Sequence, residues 1–240
     1  LSFVPDGEPT LDLNLAREID ALAPLGIPVA VITNSSLLSD PEVRVALARA
    51  DWVSVKVDAA DESVWREVDR PSARLDFAEL GDALRTFARE YTGTLVTETM
   101  LVAGLNDAEP HLRELAGLIA DLRASASYLA IPTRPPAEPW VRAPDEAVVT
   151  RAYAVLAERV SAVEYLTGYE GDAFASTGDA RTDLLSITAV HPMRGEAVEA
   201  LLAKTGSDWR VVDELIAARL LARTAYGGRT YYVRRFTRRR

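Results

Sequence analysis

The chain has 240 residues, 48% hydrophobic and 26% charged, with a net charge of −9. This is ordinary globular composition, with room for one large domain or one plus a small module. No apolar run approaches the roughly 20 residues of a membrane span, and the amino terminus has no signal-peptide pattern. The absence of cysteine excludes disulfides and thiolate metal sites within these residues and fits a cytoplasmic protein. His111 and His191 are the only histidines, which excludes a His-rich metal site.

In chain order, the apolar run Leu1 to Val4 reads as the end of a buried strand that breaks on Pro5-Asp6-Gly7-Glu8-Pro9. Leu13, Ala16, Ile19 and Leu22 follow at helical spacing. A strand that ends in such a turn and enters a helix is where an α/β protein places ligand-binding backbone, although the same residues also make a plain βα turn. A start inside a strand, without an initiator Met, reads as a chain that lost its front end.

The next strand, Ile27 to Thr33, ends at Asn34-Ser35-Ser36, where Asn34 is either a ligand-binding or a turn residue. A helix from about Asp40 to Ala48, with Pro41 at its first position, leads to a strand from Trp52 to Asp58. Asp76 and Glu79 form a capping-box start for a helix reaching Tyr91. Thr94 to Val102 is a strand ending in Ala103-Gly104-Leu105-Asn106-Asp107. A helix from Ala108 to Leu122, a strand from Ser127 to Ile131, a proline-rich loop from Pro132 to Pro144, a helix from Asp145 to Val160 and a short strand from Ala162 to Leu166 complete the pattern. The alternation predicts a parallel α/β fold whose strand ends gather on one rim.

Domain boundaries are expected at 1–166 for this body, 167–188 for a Gly-rich loop or linker, and 189–240 for a second module. Met193 to Lys204 and Asp208 to Leu221 read as helices, and two strands flank Gly227-Gly228 in a hairpin. Two helices and a two-stranded wing make the module winged-helix-like. From Leu184 onward there are 11 Arg/Lys against 5 Asp/Glu, a net of +6, while the preceding part has a net of −15. That asymmetry agrees with two modules.

The chemistry concentrates in Trp52-Val53-Ser54-Val55-Lys56-Val57-Asp58. At a period of two, the valines face the helices, and Ser54, Lys56 and Asp58 share the other face. Parallel strands are usually apolar on both faces, so three polar residues on one side predict a wet or ligand-filled interior. An unpaired buried Lys is costly, and mid-strand Glu98 on the next strand is a partner for Lys56. The pair is either a structural ion pair or the receiver of a ligand that carries a carboxylate and an amine. Arg134, in the stiff Pro132-Thr133-Arg134-Pro135-Pro136 loop, is a candidate to meet a substrate anion. Arg70 reads as a surface residue, and His111, near a helix start, does too. No catalytic residue is assigned.

Together these stretches resemble the radical S-adenosylmethionine (SAM) superfamily. Gly7-Glu8-Pro9 looks like its Gly-Gly-Glu-Pro motif, which holds the methionyl amino group of SAM. Phe3 to Leu11, Val31-Ile32-Thr33-Asn34, Ser54 to Ala59, Glu98 to Val102, Tyr128 to Pro136 and Leu166 to Gly171 are similar to iron–sulfur oxidoreductases related to the tRNA wybutosine-synthesising enzymes. The resemblance extends to Ala189-Val190-His191-Pro192-Met193-Arg194.

The resemblance implies a partial (β/α) barrel of the radical SAM type. It also implies a cofactor pocket that includes Gly7, Glu8, Pro9, Asn34, Ser54, Lys56, Asp58, Glu98 and Asn106. The implied cofactors are SAM and a four-iron four-sulfur cluster, with flavodoxin or ferredoxin as electron donor and RNA as a candidate partner. The implied reaction is reductive cleavage of SAM to a 5′-deoxyadenosyl radical that abstracts hydrogen from an unknown substrate. Two departures stand out: Asp6 replaces the first Gly, and the Cys-x3-Cys-x2-Cys loop is absent. In the family that loop precedes the Gly-Glu-Pro strand, which would put it before Leu1. Two other readings stay open. One is a cluster-less binding or regulatory protein whose tail binds nucleic acid; the other is an aldolase-type enzyme that uses Lys56 as a Schiff-base nucleophile.

Overall fold

The computed structural model describes residues 1–4, 7–166 and 174–235. Pro5, Asp6, the Thr167–Gly171 stretch and the terminal arginines fall outside them. The chain divides into two units, one of Leu1–Pro132 with Trp140–Thr167 and the other of Thr133–Pro139 with Gly168–Arg240.

The first unit holds β1 (Ser2–Phe3), β2 (Ala30–Thr33), β3 (Trp52–Lys56), β4 (Thr94–Met100), β5 (Ala126–Ala130) and β6 (Val163–Leu166). All pair in parallel and in sequence order. Its helices are α1 (Leu15–Leu22), α2 (Pro41–Leu47), α3 (Glu62–Val68), α4 (Phe77–Glu90), α5 (Glu109–Leu122) and α6 (Glu146–Ala157). Right-handed crossovers that always step to the next strand put every helix on one face and let the sheet curl as a barrel wall. The core agrees: Val31, Val53, Val55, Leu95, Leu129 and Val163 form one cluster with Leu15, Leu47, Phe87, Leu115 and Leu156 of the helices.

Local chemistry sets the boundaries. Asp40 and Asp76 accept from the amides of Glu42 and Glu79 and cap α2 and α4 as the sequence predicts. A Cβ at Gly93 would collide with the Tyr91 ring and lie 2.8 Å from the Asp51 carbonyl oxygen, so the break after α4 requires glycine. Helix α3 has no counterpart in the sequence pattern, which predicts no element between Asp58 and Asp76. Its seven residues start on Asp61, whose carboxylate accepts from Val64 N at 3.0 Å. Its buried Trp65 packs on Phe77 with ring centroids 5.4 Å apart and the rings tilted by 45°.

The second unit contains α7 (Ala180–Val190), β7 (Met193–Arg194), α8 (Gly195–Thr205), α9 (Arg210–Ala217), β8 (Leu221–Tyr226) and β9 (Arg229–Arg234). The antiparallel sheet has the order β7-β9-β8. Gly227 and Gly228 adopt φ of +55° and +74°, which the Gly-Gly hairpin needs. Two expectations change here. The second half of the expected 167–188 loop is α7, which buries Ala180 and Leu184 in the core of this unit. Met193 opens a short strand, and the helix starts at Gly195.

Candidate functional site

Parallel pairing brings the polar face of β3 against that of β4 with Lys56 opposite Glu98. The same level continues to Tyr128 on β5 and Glu164 on β6. Lys56 Nζ lies 3.1 Å from Glu98 Oε1 and 3.3 Å from Asp58 Oδ2. The Lys56 and Glu98 side chains keep 27% and 24% of their surface in water, whereas Asp58 keeps 1%. Burial by itself would lower the Lys56 pKa. The Asp58 and Glu98 carboxylates outweigh it and hold the ammonium above its ordinary value. A protonated amine is not a nucleophile, so this environment opposes the Schiff-base reading.

Asp58 is fixed from below, where its Oδ1 accepts from Met100 N at 2.6 Å. A small cleft at this strand end is lined by Asn34, Lys56, Asp58, Trp65 and Asp69. Asp69 was not foreseen from the sequence. The residue as a whole is exposed, and it lines this cleft. Burial of its carboxyl, then the Asp58 carboxylate beside it, raise its pKa well above the usual carboxylate range. Ser54 is buried one pleat below Lys56.

The first strand end is built differently. The Glu8 carboxylate accepts from Thr10 N at 3.2 Å, Thr10 Oγ1 at 2.7 Å, Thr33 Oγ1 at 2.5 Å and Asn34 N at 2.7 Å. It clamps the Gly7-Glu8-Pro9 turn onto the end of β2, and Pro9 is buried. Asn34 is exposed, and its Oδ1 accepts from Ser36 N at 2.9 Å in a side-chain turn. The amide nitrogen of Asn34 is the group it brings to the cleft. Ser35, buried and left-handed at φ +68°, extends the β2–β3 ladder by exchanging hydrogen bonds with the Lys56 backbone.

Three sequence candidates have internal partners. Asn106 is 0% exposed; its amide donates to the carbonyls of Asp58 and Met100, and its oxygen accepts from Val102 N. It pins the ends of β3 and β4 together. His111 is buried, a correction of the surface reading: its Nδ1 lies 3.2 Å from Asp61 Oδ2, and Nε2 accepts from Ala60 N at 3.4 Å. Arg134 belongs to the second unit, where its guanidinium contacts His191 Nδ1 at 2.7 Å. Because guanidinium can only donate, that nitrogen is the unprotonated one.

In the second unit, the exposed face of α9 carries Asp213 and Glu214, and Arg210 is engaged by Asp208 at 2.7 Å. An acidic helix face is repelled by a phosphate backbone. The exposed basic side chains nearby include Arg219, just after α9, and Arg223 and Arg229 on the hairpin. Among the described residues no cluster of acidic or histidine side chains could hold a metal ion, and no helix is long and apolar enough to cross a membrane.

No protein-family model matches the chain. It is 35% identical over 236 residues to the UPF0026 protein of Methanocaldococcus jannaschii, spanning 98% of this chain and 74% of that relative. Its fold is similar to a radical SAM methyltransferase from Sphaerobacter thermophilus, with a TM-score of 0.57, 24% identity, 68% of this chain covered and 49% of that one. It is also similar to TYW1 with a lysine–pyruvate adduct bound, with a TM-score of 0.55, 17% identity, 67% of this chain covered and 50% of that one. The six-stranded sheet with its helices thus has a partial-barrel fold similar to that of these proteins.

Proposed function

This chain belongs to the UPF0026 family, and from that premise we propose that its sheet forms the SAM-binding part of a radical SAM enzyme. The observation that carries the reading is the group Asn34, Lys56, Asp58 and Glu98, gathered where parallel strands end, in the fold of that superfamily. The Lys56 ammonium can meet the carboxylate of SAM, and the carboxylates around it, in excess over that one cation, suit its sulfonium and ammonium. Carboxylate oxygens accept from ribose hydroxyls, and the Asn34 amide nitrogen donates. Gly7 to Pro9 offers backbone to the methionyl end. The Glu8 carboxylate, with four donors of its own, shapes that turn, and Ser54 and Asn106 support the strand ends from behind.

A four-iron four-sulfur cluster does not fit this chain, which has no cysteine, so its residues can bind and orient SAM and exclude water but not reduce it. The reductive step, the hydrogen abstraction and an electron donor such as flavodoxin or ferredoxin belong to the proposal for the whole protein. In the second unit, whose helices and hairpin we read as winged-helix-like, any RNA contact would fall to the hairpin arginines and not to α9.

Calorimetric titration with SAM tests the reading. The chain is expected to bind SAM, and Lys56→Met to weaken binding at least tenfold, about 1.4 kcal/mol. No heat from the wild-type chain, or unchanged affinity in the variant, would sink it. The 240-residue chain is also expected to yield no 5′-deoxyadenosine after iron–sulfur reconstitution; its detection would overturn that expectation.

A further inference from the structure

The ion pair with Lys56 does not complete the hydrogen bonding of Asp58. Oδ1 receives the Met100 amide, but Oδ2, equally buried, has no hydrogen-bond donor even though Lys56 Nζ lies 3.3 Å away. A buried carboxylate oxygen is rarely left so. A second carboxyl, that of Asp69, lines the same small cleft. It follows α3 and precedes Arg70, a residue held at φ +50° before Pro71. That conformation is unfavourable for a non-glycine residue and doubly so before proline. The turn therefore keeps Asp69 at this spot against local preference. Two carboxylates side by side repel, whereas a single proton between them makes a hydrogen bond.

We propose that Asp69 is a positioning residue of the site: when protonated, it donates to Asp58 Oδ2 and holds that carboxylate against Lys56, so ligand binding follows one proton on Asp69. Among the described residues, the charged groups at the pair include Lys56 from β3, which is itself paired with Glu98 from β4, and Arg70 follows Asp69 in the chain. Helices α3, α4 and α5 turn the apolar Trp65, Phe77 and Leu118 toward the same cleft. Burial and the Asp58 carboxylate, in that order, raise the Asp69 pKa to about 9, against the opposing charge of Lys56. The sign follows. The folded state keeps a proton that the unfolded chain releases above its ordinary carboxylate pKa, so stability falls as pH rises from the ordinary range towards about 9. An asparagine at 69 supplies the same donor without a titration, and an alanine supplies none.

The proposal rests on the reading of the cleft as a SAM pocket only for its ligand; the proton linkage stands apart from it. The experiment is thermal melting of the full chain from pH 5 to 9.5, with and without SAM, for wild type, Asp69→Asn and Asp69→Ala. The wild type is expected to lose melting temperature steadily with pH. Asp69→Asn should match it at neutral pH but lose that slope, and Asp69→Ala should melt lower. The stabilisation by SAM should decline with pH more steeply in wild type than in Asp69→Asn, the titration of SAM itself being common to both. If SAM stabilises neither protein while the asparagine still removes the slope, the shared proton stands and the SAM pocket falls. An unchanged slope in Asp69→Asn, or an asparagine variant as unstable as the alanine, would overturn the proposal. A protonated-carboxyl infrared band at neutral pH, lost in Asp69→Asn, is the direct signature; a band unaffected by the substitution counts against it.

Discussion

Glu8 and Asp58 are acidic residues at the ends of two parallel strands, and the protein uses them in opposite ways. Glu8 receives four hydrogen bonds from its own turn and from the end of β2, so its charge is answered by fixed donors. Asp58 is more deeply buried and has one hydrogen-bond donor, the Met100 amide, with the Lys56 ammonium 3.3 Å away as an ion-pair partner and the Asp69 carboxyl lining the same cleft. A satisfied carboxylate is a structural clamp, while an incompletely satisfied one beside a cleft is poised to respond to a ligand or a proton. The difference separates scaffold from site at the same rim.

Substitutions at the two positions should part accordingly. The largest loss of stability is expected from Glu8→Ala, about 3 kcal/mol, since it strands several part-buried donors that now bond a charged group. Chemical denaturation would show it as a lower midpoint, and a loss under about 1 kcal/mol would deny the clamp. Lys56→Met comes next, at about 2 kcal/mol, below the usual cost of breaking a buried pair because the lysine is one-quarter exposed. Its distinguishing mark is that the loss of SAM binding should exceed what its stability predicts. Arg134→Ala should have the smallest effect, under about 1 kcal/mol, with SAM titration unchanged, since Arg134 and His191, which it contacts, both belong to the second unit. A large fall in SAM affinity would return Arg134 to the ligand site.

How much of this was legible depends on range. The strand and helix cores follow from apolar periods of two and 3.6, and the Lys56–Glu98 pair followed from alternation along two neighbouring strands, one lysine needing one acid. Helix α3 escaped because it is only seven residues long, three of them charged, and carries one buried side chain, Trp65. Helix α7 escaped because it follows a polar, Gly-rich tract. Tyr128 and Glu164 share the level of Lys56 only through register, though alternation within β5 and β6 carried the signal. For Asp69, no local pattern distinguishes a carboxyl aimed at Asp58 from a solvated one.

By itself, then, the order of residues determined the alternation of strands and helices, the polar face of β3 and the turn at Gly7-Glu8-Pro9, because each depends on spacing along a single element. Only the tertiary structure decided that Asn106 and His111 are internal, that Glu8 is a clamp, that Arg134 joins the second unit and that Asp69 lines the cleft of Asp58. Burial and pairing arise between segments tens of residues apart, where a side chain's partners and its access to water are set by packing and not by its neighbours in sequence.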